Sequence, residues 1–261
     1  MIPNLSVAIF AVQFILTFLA PILVLAVLAV KKKITAKPMW LGFACFFATQ
    51  LVLRLPILQV LSSEVWFQNF AQGNTILYGL LLAFTAGLFE ESGRLAGAKI
   101  LKRRISFRDA VSFGLGHACC ELIFLIGMTA LSNLIYCLVI NSNDPLFLAS
   151  IPSDQLTYIT NQLASASVPD LAAALLERAS ALSFHVLMTV VVFLGAVRHK
   201  AVLYWLFALL LHTVFDSVAL LPIGMWPVEI ILVVMGAACL AATLKIRKPY
   251  GEAYAALPAE L

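Results

Sequence analysis

Residues 74–98 read NTILYGLLLAFTAGLFEESGRLAGA, and Lys99, Lys102, Arg103, Arg104 and Arg108 follow directly. A bilayer is crossed by ~20 apolar residues, and this run is long enough. Yet it carries Glu90, Glu91 and Arg94 inside it. Charge at that depth costs ~2.5–3.5 kcal/mol per group on insertion scales. The stretch is therefore either no membrane helix at all or one that carries a site, and the rest of the chain decides between the two.

Of 261 residues, 62% are hydrophobic and only 11% charged, with a mean hydropathy of +1.01. A soluble domain carries about 25% charged residues, so this chain has too few to cover a surface facing water. Seven apolar runs are predicted as spans, at roughly 5–30, 39–61, 74–98, 108–140, 176–197, 201–221 and 226–245. Lys31, Lys32, Lys33 and Lys37 follow the first. The basic run already quoted separates the third from the fourth, Arg198 and Lys200 lie between the fifth and sixth, and Lys245, Arg247 and Lys248 follow the seventh. The alternate loops, 62–73, 141–175 and 222–225, hold no Lys or Arg. The positive-inside rule then places the N-terminus outside and the C-terminus inside.

The expected architecture is all-α, a polytopic transmembrane helix bundle of about seven spans forming a single membrane domain, 1–261. Its one sizeable extramembrane piece is the outer loop 141–175. There Ser153 is placed to start a short helix with Leu156, Ile159 and Leu163 on one face, lying on the outer leaflet or folded as an ordered loop. Pro169-Asp170 reads as the start of a helix feeding the fifth span. The first run, with no basic segment before it and lysines after it, reads as a retained span and not a cleaved signal. Cys45, Cys119, Cys120, Cys137 and Cys239 all sit in apolar stretches and are expected to be unpaired. A multi-pass membrane protein follows, with the lipid bilayer and not nucleic acid as its surroundings.

Besides Glu90, Glu91 and Arg94, the ionisable residues within spans are Arg54 in the second, His117 and Glu121 in the fourth, His185 in the fifth, and His212 and Asp216 in the sixth. Glu90 and Arg94, His117 and Glu121, and His212 and Asp216 are each four residues apart, on one helix face. Counted from the basic ends, Glu90, Glu91, His117, His185 and His212 fall ~13–18 Å deep. Glu121, Asp216 and Arg54 lie about one turn further out. Groups at a common depth escape lipid by facing one another, so one buried polar site is expected. Glu229, near the outer end of the seventh span, is less diagnostic.

Such a site suits hydrolysis of a peptide bond. The reaction needs an activated water, an oxyanion donor and an acid for the leaving amine. Two adjacent glutamates sharing one arginine can be held in different protonation states, and histidine can polarise a carbonyl or bind a metal. Gly-x-Ser-x-Gly, His-Glu-x-x-His and Gly-x-Gly-Asp are all absent. A transporter or proton-coupled carrier would also bury charges, but it predicts broken helices and internal repeats, which are not evident. A non-catalytic scaffold or immunity protein on the same fold is the other alternative.

The segments Glu90-Glu91-Ser92-Gly93-Arg94, Gly114-Leu115-Gly116-His117-Ala118-Cys119-Cys120-Glu121 and His212-Thr213-Val214-Phe215-Asp216 together resemble the glutamate-dependent intramembrane protease superfamily, which includes the CAAX prenyl proteases and PrsW. The likeness is greatest to the YhfC family, in Glu-Glu-x-Gly-Arg and Gly-x-Gly-His-x-x-x-Glu. The basic residue three after the second glutamate matches PrsW and not the prenyl proteases. The resemblance implies an intramembrane endopeptidase acting on a membrane protein or peptide. Glu90 or Glu91 would be the water-activating base, oriented by Arg94. His117 and His212 would stabilise the oxyanion or ligate a metal, with Glu121 and Asp216 as supporting groups. Members are described as glutamic or as metalloproteases, so the cofactor is either none or a divalent metal such as zinc, with His117, His212 and Glu91 as candidate ligands. His185 lies outside these motifs, as a packing histidine or an additional site residue.

Overall fold

The computed structural model describes residues 1–101 and 105–257, so Lys102, Arg103 and Arg104 lie outside the described residues. Among the described residues, seven helices are long and apolar enough to cross a membrane. They are α1 (Asn4–Val30), α2 (Ala36–Ser62), α4 (Thr75–Ile100), α5 (Phe107–Ser142), α8 (Val168–Val197), α9 (Ala201–Leu220) and α10 (Met225–Ala255). Between them lie three shorter helices, α3 (Val65–Gly73), α6 (Pro145–Ala149) and α7 (Ser153–Ala164). No strand occurs among the described residues. The sequence expectation of seven membrane-crossing helices is met.

Local chemistry sets several boundaries. Ser106 and Asp109 form a reciprocal cap at the start of α5: the Ser106 N–H donates to Asp109 Oδ2 at 3.0 Å, and the Asp109 N–H to Ser106 Oγ at 3.2 Å. Ser167 and Asp170 repeat this at α8, starting the helix where Pro169-Asp170 suggested. Inside α1 and α2 the helix widens into π turns at Ile15–Leu19 and Phe47–Arg54. Each stands just before a proline, Pro21 or Pro56. A proline has no N–H to return to the carbonyl four residues back, and the ladder there is displaced.

The chain divides into two compact units. The first comprises Met1–Val27 and Glu121–Leu176. Within it the Ile2 N–H donates to Asn141 Oδ1 at 2.6 Å, and Asn141 Nδ2 donates back to the Ile2 carbonyl at 2.9 Å. Leu163 of α7 is buried with Ile2, Phe10, Cys137 and Ile140, and Leu156 and Ile159 pack against the same cluster. The apolar face of α7, expected on lipid or in a loop, is thus turned onto protein.

The second unit comprises Leu28–Cys120 and Glu177–Leu261, and its core is α8. Of the membrane-crossing window of α8, 83% is buried, against 28% or less in the other six. Phe184, Met188, Val190, Val192 and Phe193 are all within this core, packed with Phe113 of α5, Phe215 of α9 and Leu232 of α10. A helix apolar on every side belongs in the middle of a bundle, and here it offers polar groups only at Ser180, His185 and Thr189 among its buried residues. α10 runs past the expected end at 245, and buried Tyr250 donates its hydroxyl to the Ile105 carbonyl at 3.0 Å.

Candidate active site

The charged segment of α4 lies buried inside the second unit: Glu91 and Arg94 are fully enclosed, and Glu90 retains 5% exposure. Arg94 satisfies the two carboxylates beside it. Its Nη1 donates to Glu91 Oε1, and its Nη2 lies 3.5 Å from Glu90 Oε2. Two further bonds reach α8: Nε donates to Thr189 Oγ1 at 3.2 Å and Nη2 to His185 Nδ1 at 2.8 Å. A guanidinium has no acceptor, so the direction of the last bond is fixed and His185 Nδ1 is the accepting nitrogen.

His117 reaches the cluster because α5 approaches two helices at once. A Cβ on Gly114 would lie 2.9 Å from Val186 Cα of α8, and one on Gly116 would run into the Met39 carbonyl of α2. With neither Cβ present, the next residue, His117, places Nε2 2.8 Å from Glu90 Oε2. Phe46 packs edge-on against its ring at 5.0 Å. From α9, His212 Nδ1 lies 2.7 Å from Glu91 Oε1, and its Nε2 lies 3.9 Å from Glu90 Oε2 and 3.5 Å from Asp216 Oδ2. Phe184 packs edge-on against His212. His185 Nδ1 is 3.6 Å from Glu90 Oε2.

One oxygen, Glu90 Oε2, is therefore the focus of three imidazoles and a guanidinium. Glu91 is its opposite: Oε1 is taken by Arg94 and His212, and Oε2 is buried without a protein partner. The two glutamates, adjacent in sequence, are held by different sets of partners.

Of the residues nominated from sequence, Glu90, Glu91, Arg94, His117, His212 and Asp216 are brought together. Asp216 is the most open, with a third of its side chain exposed. Glu121 belongs to the first unit. His185, left open by the motifs, is a member of the cluster. Gln50 of α2 was missed, and its Nε2 donates to Glu90 Oε1 at 3.0 Å. A search for ionisable residues passes over a neutral amide, but Gln50 lies four residues from Arg54 in the same apolar span, and that spacing was the available signal.

Glu90, His117 and His185 each offer a ligand atom within 4.8 Å of the others. The carboxylate in this set is Glu90, and Glu91, nominated from sequence, is not among the three. A carboxylate and two imidazoles with one position open is the donor set of many catalytic zinc sites. The buried His117 Nδ1 has no partner among the described residues, and it is Nε2 that faces Glu90 Oε2, so an ion held there would displace the bond between them. To join such a set through Nδ1, His185 must be released from its bond to Arg94.

A family model described as "YhfC intramembrane metalloprotease" matches residues 16–237. The "Uncharacterized membrane protein YhfC" of Bacillus subtilis (strain 168) is 28% identical over 228 residues, which is 85% of this chain and 86% of that protein. No solved structure matches.

Proposed function

Since the chain belongs to the YhfC intramembrane metalloprotease family, we propose that it is an intramembrane endopeptidase hydrolysing a peptide bond of a membrane-embedded or membrane-proximal protein in a bacterial plasma membrane. The observation that carries this reading is the convergence of His117, His185 and His212 on Glu90 Oε2.

Glu90 and His117 would hold a divalent ion such as zinc, with His185 completing the set on release by Arg94. A bound ion would lower the pKa of an attacking water and polarise the scissile carbonyl. His212 is tied through Nδ1 to Glu91, which fixes the ring and leaves Nε2 facing Glu90 and Asp216. It takes the proton from the water as the oxygen attacks the carbonyl carbon. It returns that proton to the amide nitrogen as the C–N bond breaks. Arg94 offsets the charge of both glutamates throughout.

A second reading has its own support in the Arg94 Nη2 contacts, 3.5 Å from Glu90 Oε2 and 2.8 Å from His185 Nδ1. A cation already stands at the cluster, and Glu90 itself then takes the proton from water. Chelation separates the two. Proteoliposomes of the purified protein would be assayed on quenched-fluorescence single-span peptides. Activity lost to chelator and restored by zinc supports the first, and indifference supports the second. If Glu90→Gln cleaves as well as the parent, both fail.

The proposed topology places 141–175 outside the cell. A cysteine introduced at exposed Tyr158 should react with an impermeant maleimide on intact cells. Labelling only after permeabilisation overturns the orientation.

A further inference from the structure

Gln50 and Arg54 lie beside the cluster, and the chemistry above uses neither. Gln50 is buried to 2% exposure in the π-helical stretch Phe47–Arg54 of α2. Its Nε2 donates to two acceptors on α4, Glu90 Oε1 at 3.0 Å and the Ala86 carbonyl at 3.2 Å. Its Oε1 accepts from Arg54 Nη1 at 3.1 Å. Arg54 is itself pinned to α4, with Nη2 donating to the Leu82 carbonyl at 2.7 Å and Nε to Thr85 Oγ1 at 3.2 Å.

These bonds leave the amide one orientation. Turned over, its oxygen would face a carboxylate and a carbonyl while its NH2 faced a guanidinium, and every contact would be repulsive. Arg54, holding the oxygen end, therefore reinforces the way Gln50 points. Gln50 in turn decides which oxygen of Glu90 is tethered. The π turn supports the arrangement: in a turn wider than the α-helical 3.6 residues, side chains four apart come closer to eclipsing. Gln50 and Arg54 are four apart and stand over one face of α4.

We propose that Gln50, locked in orientation by Arg54, is a positioning residue that tethers Glu90 Oε1 and so presents Oε2 alone to His117, His185 and His212. The proposal rests on the reading of Glu90 as the reactive carboxylate. A role limited to joining α2 to α4 would need only the bond to Ala86. The second hydrogen goes instead to the one Glu90 oxygen that the histidines leave unused. Polar partners of a metal-binding or reacting carboxylate set its geometry and typically change affinity by about 10–100-fold when removed.

The test uses the full chain in detergent micelles with two readouts. Isotope-edited infrared spectroscopy of labelled glutamate identifies the Glu90 carboxyl band as the one lost in Glu90→Gln. In Gln50→Met that band should move while the Glu91 band, lost in Glu91→Gln, stays in place. Zinc affinity, measured by competition with a chromophoric chelator, should fall by about 10–100-fold. Gln50→Asn, one methylene short but still an amide, should give the same shift if Gln50→Met does not fold. In a double-mutant cycle, Arg54→Met with Gln50→Met should be no worse than Gln50→Met alone, because Arg54 acts through Gln50. An unmoved Glu90 band in a folded Gln50 variant overturns the proposal, and additive effects overturn the Arg54 lock. A parent that binds no zinc counts against the metal reading only, since the infrared result still decides the tether.

Discussion

The two compact units are both built from apolar helices, yet they bury different polar groups. In the first, the buried polar side chains are Ser6 and Thr17. Thr17 donates to the Gln13 carbonyl of its own helix at 2.7 Å, and Ser6 to the Ala164 carbonyl at 3.4 Å. In the second they include Gln50, Glu90, Glu91, Arg94, His117, His185, Thr189 and His212. A hydroxyl can satisfy itself on the turn beneath it. A carboxylate or guanidinium away from water cannot, and needs partners from several directions. Arg94 draws bonds from α4 and α8, and Glu90 from α2, α4 and α5. The polarity of the second unit thus ties several of its helices to one cluster, while that of the first makes isolated links such as Ser6 to the Ala164 carbonyl.

The contrast can be broken most severely at Glu90. Glu90→Gln preserves shape and removes the carboxylate, so peptide turnover should fall by ~10²–10⁴-fold while the helical circular dichroism of the purified protein is unchanged. Next in size is Arg94→Ala, which leaves two buried carboxylates uncompensated. Its cost should be about 3–5 kcal/mol in denaturant unfolding, and stability equal to the parent would sink the claim that Arg94 neutralises the pair. Gly116→Ala pushes a methyl group into the Met39 carbonyl. The resulting separation of α5 from α2 should cost about 1–3 kcal/mol and lower activity by displacing His117. The smallest effect is expected in the first unit. Asn141→Leu removes the paired bonds to Ile2 for about 0.5–1.5 kcal/mol, with peptidase activity unaltered. A loss of turnover there comparable to that of Glu90→Gln would mean that the units do not divide structure from chemistry as described.

The helices and most of the buried cluster were legible in the sequence, which read as a single domain. The seven helices follow from apolar run length, and the cluster residues follow from charge in runs where charge is costly. Depth along each span marked His185 as well as His117 and His212, since all three lie at a similar distance from a basic boundary. Helix rotation was not legible. Nothing in the order Glu90-Glu91 says which carboxylate meets the three imidazoles and which is sealed against Arg94, because that depends on how α4 is turned toward α5 and α9. Gln50 escaped because it is uncharged and its partner is on another helix. Its position also depends on a π turn, which Pro56 permits but does not announce. The apolar face of α7 was visible as a stripe, but a stripe does not say whether lipid or protein covers it.

The burial of α8 bears on when the protein can act. Ribosomal synthesis delivers helices in order, and a chain that has emerged through α5 already holds Gln50, Glu90, Glu91, Arg94 and His117. It lacks Thr189 and His185, which supply two of the bonds to Arg94, and His212, which engages Glu91. The helix that ends at the centre of the second unit is thus among the last to be made. A nascent chain thus carries both glutamates and His117 before His185 and His212 exist, and the proposed hydrolytic competence arrives only when the final spans close around α8.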